Sequence, residues 1–277
     1  MTKPTKAMTA NTVYWTYNDP KLPAIVMIHG FRGTHHGLDL IAQELSAYHL
    51  IVPDLPGFGE SPSLKKAHTL ENYTEWLHGF MKDLKLKKPV LLGHSFGSII
   101  AGSYAANYPK ALSKLILINP IGAPALEGPK GLLTQLAIFY YFVGRKLPHT
   151  LALPWLKSKL VVMIMSRTMA KTTDKTLRQF IHDQHRTYFS RFNDAAALSQ
   201  SFITSVSHNV RESAPDITTK TLLIAGDKDD ITPLHKQREL VLLFPEAELV
   251  VLKDVGHLTH YETPKQAAQA IKQFLAD

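Results

Sequence analysis

The chain contains no cysteine. That absence excludes disulfides, thiolate metal centres and cysteine nucleophiles, and it leaves the redox compartment open. Long apolar runs are missing too. The most apolar stretch, Leu132 to Val143, falls short of the roughly 20 residues that a bilayer-spanning helix needs. It reads as a helix packed over a site, with a lipid-facing lid as the alternative. The amino-terminal MTKPTKAMTANT has basic residues but no apolar segment behind them, unlike a secretory leader or an anchor, which points to a cytoplasmic protein with no integral membrane segment. Dense runs of one charge are also lacking. The net charge is +8, yet Lys65-Lys66 and Lys85 to Lys88 are short clusters without interleaved aromatics. They read as solvated faces, and no nucleic-acid partner is expected.

What the chain does have is a composition of 45% hydrophobic and 19% charged residues over 277 positions, enough for one large α/β domain carrying an insertion. Short runs rich in Val, Ile and Leu predict buried strands at Ala24 to Ile28, Leu50 to Pro53, Val90 to Leu92, Leu115 to Ile118, Thr221 to Ala225 and Leu249 to Leu252. Tyr14 to Tyr17, closed by Asn-Asp-Pro, predicts an antiparallel edge strand. Helical spacing fills the intervals at Gly37 to Tyr48, Leu70 to Leu84, Phe96 to Tyr108, Leu234 to Phe244 and Pro264 to Leu275. Such alternation is the pattern of a mostly parallel sheet. It is interrupted once. From Ile121 to Ser213, roughly a third of the chain, the texture is helical throughout and too long for a connecting loop.

Within VLLGHSFGSII, Val90 to Ile100, the strand residues run into Gly93-His94-Ser95-Phe96-Gly97 and then into small helical residues. A strand, a sharp turn and a helix are the context in which G-x-S-x-G presents a nucleophilic serine, the glycines making room for the turn. A plain strand-to-helix turn would also use glycine. A serine hydroxyl needs a base to take its proton and a third group to orient that base, so a carboxylate and then a histidine should follow later strands. After TLLIA come Asp227, Asp229 and Asp230; after ELVVL come His257 and His260.

These segments together resemble the α/β-hydrolase fold superfamily over nearly the whole chain outside the helical insert. The resemblance implies a mostly parallel central sheet flanked by helices, with residues 1–120 and 214–277 as the core domain and 121–213 as an inserted helical cap. The family pattern G-x-x-D followed by proline falls on Gly226, Asp229 and Pro233, and G-H-x-x-x-x-E-x-P falls on Gly256, His257, Glu262 and Pro264. It therefore favours Asp229 and His257 over their neighbours. His29-Gly30-Phe31-Arg32-Gly33 resembles the H-G-x loop, which makes the backbone N–H groups of Phe31 and Phe96 the expected oxyanion donors. Asp54 to Ser61 resembles the family's D-x-x-G-x-G-x-S loop and reads as structural.

The resemblance implies a serine esterase or lipase-like enzyme that needs no cofactor or metal and takes small apolar acyl or aryl esters. Transient contact with a lipid surface and the oligomeric state stay open. Dehalogenases and epoxide hydrolases of this fold use an aspartate where Ser95 stands. Two alternatives remain: carbon–carbon bond hydrolysis of vinylogous diketones, whose enzymes commonly carry Asn at the position of His94, and a non-catalytic binding protein. Thioester, amide, lactone and peracid chemistry cannot be separated on the triad alone. His35-His36 and the His182, His185 pair read as surface residues rather than metal ligands. Arg32 is open between a substrate contact and a salt bridge. Phe139, Tyr140, Tyr141 and Trp155 divide between packing and pocket lining.

Overall fold

The protein is described by a computed structural model covering residues 3–124 and 131–277. Residues 125–130 of the expected insert, and residues 1–2 of the amino-terminal stretch, lie outside the described residues.

An eight-stranded sheet forms the centre. Its strands are β1 (Thr5–Met8), β2 (Val13–Tyr17), β3 (Ala24–Ile28), β4 (His49–Pro53), β5 (Val90–His94), β6 (Leu115–Ile118), β7 (Thr221–Gly226) and β8 (Ala247–Leu252). They lie in the order β1-β2-β4-β3-β5-β6-β7-β8, with β2 antiparallel to both of its neighbours, β1 and β4, and every other pair parallel. Parallel strands need crossovers, and the helices supply them. They are α1 (Asp39–Glu44), α2 (Leu70–Asp83), α3 (Phe96–Asn107), then α4 (Gly131–Lys146), α5 (His149–Leu156), α6 (Lys159–Met169), α7 (Lys175–Tyr188) and α8 (Ala195–Ser207) between β6 and β7, and finally α9 (Leu234–Val241), α10 (Thr259–Glu262) and α11 (Pro264–Ala276).

β3 and β6 are apolar at every position, and β4, β5 and β7 are polar only at a strand end, because both faces of these inner strands are covered. Alternate residues diverge: Val26, Ile28, Leu91, Leu115 and Leu117 pack toward α2 and α3, whereas Ile25, Met27, Leu92, Ile116 and Ile118 pack toward α1 and α11. On α2 the buried positions Leu70, Tyr73, Thr74, Leu77, Phe80 and Met81 follow one helical stripe, and Thr69 caps it by accepting from the Asn72 N–H. On α11 Pro264 occupies the first turn, where a missing N–H costs nothing.

Three expectations need correction. β1 was not foreseen: Thr-Lys-Ala-Met is largely exposed and pairs only with β2, so it carries no apolar alternation. The helix expected from Gly37 to Tyr48 is a short 3-10 turn, His35–Leu38, followed by α1, because the chain turns at Leu45 and Tyr48 to bring His49 beside Ala24. Two histidines read as surface residues are buried. His35 bonds Asp54 through both its backbone N–H and its ring, stacking on Trp15. His185 lies inside the insert with its Nδ1 2.7 Å from the Ser166 hydroxyl.

Burial holds His185 down at about 3, with the charge of His182 adding to it, and burial followed by the charge of His257 holds His94 at about 3. In the unfolded chain such groups titrate near 6.5. As pH falls below that value the unfolded state takes up protons that the native state refuses, so stability present at neutral pH is lost with acid. Each of the two histidines should contribute a slope approaching about 1.4 kcal/mol per pH unit below roughly pH 5.5. Urea unfolding at pH 7, 5.5 and 4.5 measures this, and His185→Gln should remove about one histidine's share of the slope.

Candidate active site

β5 ends in a turn so tight that its neighbours cannot carry side chains. A Cβ on Gly93 would stand 2.4 Å from the Gly97 carbonyl oxygen, and one on Gly97 would stand 2.4 Å from that of Ile28 in β3. Between them Ser95 has φ 53 and ψ −118, a conformation that is costly for a residue with a Cβ. The surroundings hold it there. Its N–H donates to the Ile118 carbonyl of β6 (3.0 Å), and its carbonyl accepts from the Ser98 N–H and hydroxyl. The hydroxyl of Ser95 is thereby directed above the carboxyl end of the sheet, where strand ends converge.

His257 arrives on the loop after β8, with Nε2 2.8 Å from Ser95 Oγ and Nδ1 2.7 Å from Asp229 Oδ2. A carboxylate only accepts, so Nδ1 carries the proton and Nε2 accepts from the serine hydroxyl. Asp229 is buried in the loop after β7. Oδ1 accepts the N–H groups of Ile231 (2.8 Å) and Thr232 (2.9 Å); Oδ2 accepts from His257, from the Thr232 hydroxyl and from Asn119 Nδ2 (2.9 Å). Burial alone would favour the neutral acid, but the charge and hydrogen bond of His257, with the Thr232 donors, outweigh it and hold the carboxyl far below its ordinary range. Neither neighbouring acid reaches His257: Asp227 accepts from the Val255 N–H, and Asp230 pairs with Lys171. His260 is buried against the His94 ring, with centroids 4.2 Å apart.

Loop supports missed in the sequence complete the arrangement. Asn119, at φ 44 just past β6, has no motif around it that marks it as a donor to Asp229. Glu262 was seen only as part of a pattern. Its carboxylate accepts from the Gly256 N–H (2.9 Å), so holding the His257 loop, and from the N–H groups of Lys171 and Thr172 in the insert. Gly226 is required because a Cβ there would lie 2.4 Å from the Val255 carbonyl.

Phe31 and Phe96 line the same cavity as Ser95 and His257, a space of about 300 Å³. Phe96 begins α3, so its N–H is one of the four that the helix itself leaves unpaired. His29 fixes the Phe31 loop from behind, its Nε2 accepting from the Leu55 N–H and its Nδ1 bonding the Gly30 carbonyl. Arg32 does not line the cavity and forms no salt bridge with a described residue. Its buried guanidinium donates to the Tyr141 hydroxyl on α4 and to the carbonyls of Leu156 and Phe189, each 2.9 Å away. Those carbonyls terminate α5 and α7, so two helix dipoles stabilise the cation. Tyr141 is buried, whereas Phe139 is 64% exposed and Trp155 41%, and Tyr140 exchanges hydrogen bonds with Trp155; of these four aromatics none lines the cavity. Ser61 is bonded to Val13 of β2, and Asp54 fills the space that a side chain on Gly59 would need. Among the described residues no group of three His, Asp or Glu is placed to hold a metal ion.

A profile for the α/β hydrolase fold matches residues 23–264. The chain belongs to the α/β hydrolase fold family. Its relatives in that family include Lipase 1 of Psychrobacter immobilis, 30% identical over 90% of this chain and 76% of the relative. Lipase 3 of Moraxella sp. (strain TA144) is 27% identical over the same shares. A thermophilic esterase from Thermogutta terrifontis has the same fold, with a TM-score of 0.77 at 22% identity over 99% of this chain and 98% of the other. As an α/β hydrolase the protein is a hydrolytic enzyme of the lipase and esterase type.

The turn geometry yields a test. Gly97→Ala should lower stability by about 1–3 kcal/mol, because the new methyl meets main-chain atoms of β3 that cannot step aside. Thermal unfolding measures the loss, and Gly79→Ala is the control, since a Cβ there meets nothing within 4 Å.

Proposed function

We propose that the protein hydrolyses carboxylic esters of apolar acyl or aryl groups through Ser95, His257 and Asp229. The observation that carries this reading is the unbroken run of hydrogen bonds from Ser95 Oγ through His257 to Asp229. His257 Nε2 takes the hydroxyl proton as Ser95 Oγ attacks the ester carbonyl, and the carbonyl oxygen becomes an anion. The N–H groups of Phe31 and Phe96 receive that anion; one such donor is typically worth about 3–4 kcal/mol in the transition state. Asp229 stabilises the imidazolium that has formed. His257 then passes the proton to the leaving alkoxide, which departs and leaves an acyl-enzyme on Ser95. Water, deprotonated by His257, attacks the acyl carbon, and collapse of the second tetrahedral intermediate frees the acid and restores the serine.

The substrate class follows from the cavity wall. Met165, Met169, Phe202, Val206, Ile231 and Leu258 line it, and no Lys or Arg is among its described lining residues. A substrate carboxylate would find no cation there, which counts against the carbon–carbon hydrolase alternative. Residues 121–213 act as the cap in this reading: Ala137, Met165 and Phe202, from α4, α6 and α8, close the cavity opposite the core of residues 1–120 and 214–277. The lipase names of the two relatives accord with an ester substrate.

With p-nitrophenyl butyrate and longer-chain esters, Ser95→Ala should lower kcat by at least about a thousandfold. Asp229→Asn should cost about 10⁴-fold, whereas Asp227→Asn and Asp230→Asn leave most of the rate. A fluorophosphonate should add to Ser95 and to no other residue, as read by peptide mass spectrometry. Undiminished turnover in Ser95→Ala removes the serine from the mechanism, whereas no adduct at Ser95 favours a binding protein.

A further inference from the structure

Helices of a water-soluble surface normally present polar residues on the side away from the core. Three helices of the insert do not. Of the thirteen large hydrophobic side chains exposed among the described residues, eight sit on α4, α5 and α6, including Phe139 (64%), Leu151 (56%), Leu160 (70%) and Ile164 (51%). The inner sides of α4 and α6 supply Ala137, Met165 and Met169 to the cavity. These helices are therefore apolar on both sides, and the wall between the cavity and the outside is one helix thick, about 10 Å.

Charge identifies what covers the outer side. Residues 131–173 contain six basic residues and no Asp or Glu. Lys171 is paired with Asp230. The other five, Arg145, Lys146, Lys157, Lys159 and Arg167, make no salt bridge with a described residue, and Arg145 and Lys146 lie over the Phe142 ring at the edge of the apolar face. Trp155 and Tyr140 exchange hydrogen bonds there, two amphipathic rings of the kind that settle at a lipid headgroup layer. A second copy of the chain would bring five more cations against these five, with no acid on either side. An anionic lipid surface offers complementary charge and a place for the apolar side chains.

We propose that the outer face of α4, α5 and α6 docks on bilayers that contain anionic phospholipid, setting the wall of the active-site cavity against the membrane. This goes beyond the hydrolytic reading and does not depend on Ser95 acting as a nucleophile.

The test uses the full chain carrying Ser95→Ala, so that turnover plays no part. Co-sedimentation is measured with vesicles of phosphatidylcholine alone and of phosphatidylcholine with phosphatidylglycerol. Binding should be strong only with the anionic vesicles and should weaken as salt rises. Lys146→Gln, Lys159→Gln and Arg167→Gln together should weaken it about a hundredfold, at roughly fivefold per cation. Phe139→Ser with Leu160→Ser should weaken binding to the same vesicles while leaving the salt dependence in place. All of these side chains are exposed, and unchanged circular dichroism and melting temperature will verify that the variants fold. Equal binding to both vesicle types, or binding that ignores both sets of substitutions, overturns the proposal. So does a protein that ignores vesicles and sediments as a dimer made monomeric by Phe139→Ser with Leu160→Ser, since the face is then a contact between copies.

Discussion

A carboxylate cut off from water remains an anion only where donors surround it, and at Asp229 they come from three separate parts of the chain. Asn119 reaches it from the end of β6, Ile231 and Thr232 from its own loop, and His257 from the loop after β8. Satisfying one buried charge thus fixes the relative positions of three strand ends. The histidine so placed has one ring nitrogen committed to the carboxylate, leaving the other to face Ser95. The strained serine backbone is tolerated because β3, β6 and α3 meet it on all sides, leaving it no relaxed alternative. Much of the sheet's packing is in this sense support for two short hydrogen bonds.

What was legible in the sequence follows the same physical division. Seven of the strands could be read because their residues are apolar on one or both faces, and Gly93, Gly97 and Gly226 stand where backbones approach too closely for a Cβ. β1 could not be read, since an exposed edge strand is held by backbone hydrogen bonds that any residue can make. The same limit applies at the site. Ser95, Asp229 and His257 sit in patterned turns, while Asn119 is a lone amide after a strand. Its contact with Asp229 depends on sheet order, which brings β6 between β5 and β7.

Histidine was the residue type most easily misread. With 14 in the chain, proximity in sequence suggested exposed pairs. His35 and His185 are instead buried, bonded to Asp54 and Ser166. His29 and His68 are buried too, and each uses both ring nitrogens, His29 on the Leu55 N–H and the Gly30 carbonyl, His68 on the Leu64 N–H and the Tyr73 hydroxyl. Neutral imidazole is well suited to such places, being flat, partly apolar and able to donate at one edge while accepting at the other. Arg32 misled for a related reason. A guanidinium in a buried loop suggests a carboxylate partner, but helix ends supply equivalent negative charge without any acidic residue to be seen in the sequence.

That choice of partners at Arg32 bears on how the molecule can change over time. An ion pair between two side chains tolerates exchange, because a lost charge on one can be restored by a matching change on the other. Peptide carbonyls at the ends of α5 and α7 cannot mutate. No second-site substitution of those partners can restore what a change at Arg32 removes, so the junction between insert and sheet is closed to compensatory drift. Grafting a foreign insert onto this sheet would succeed only if two of its helices happened to end at the same point.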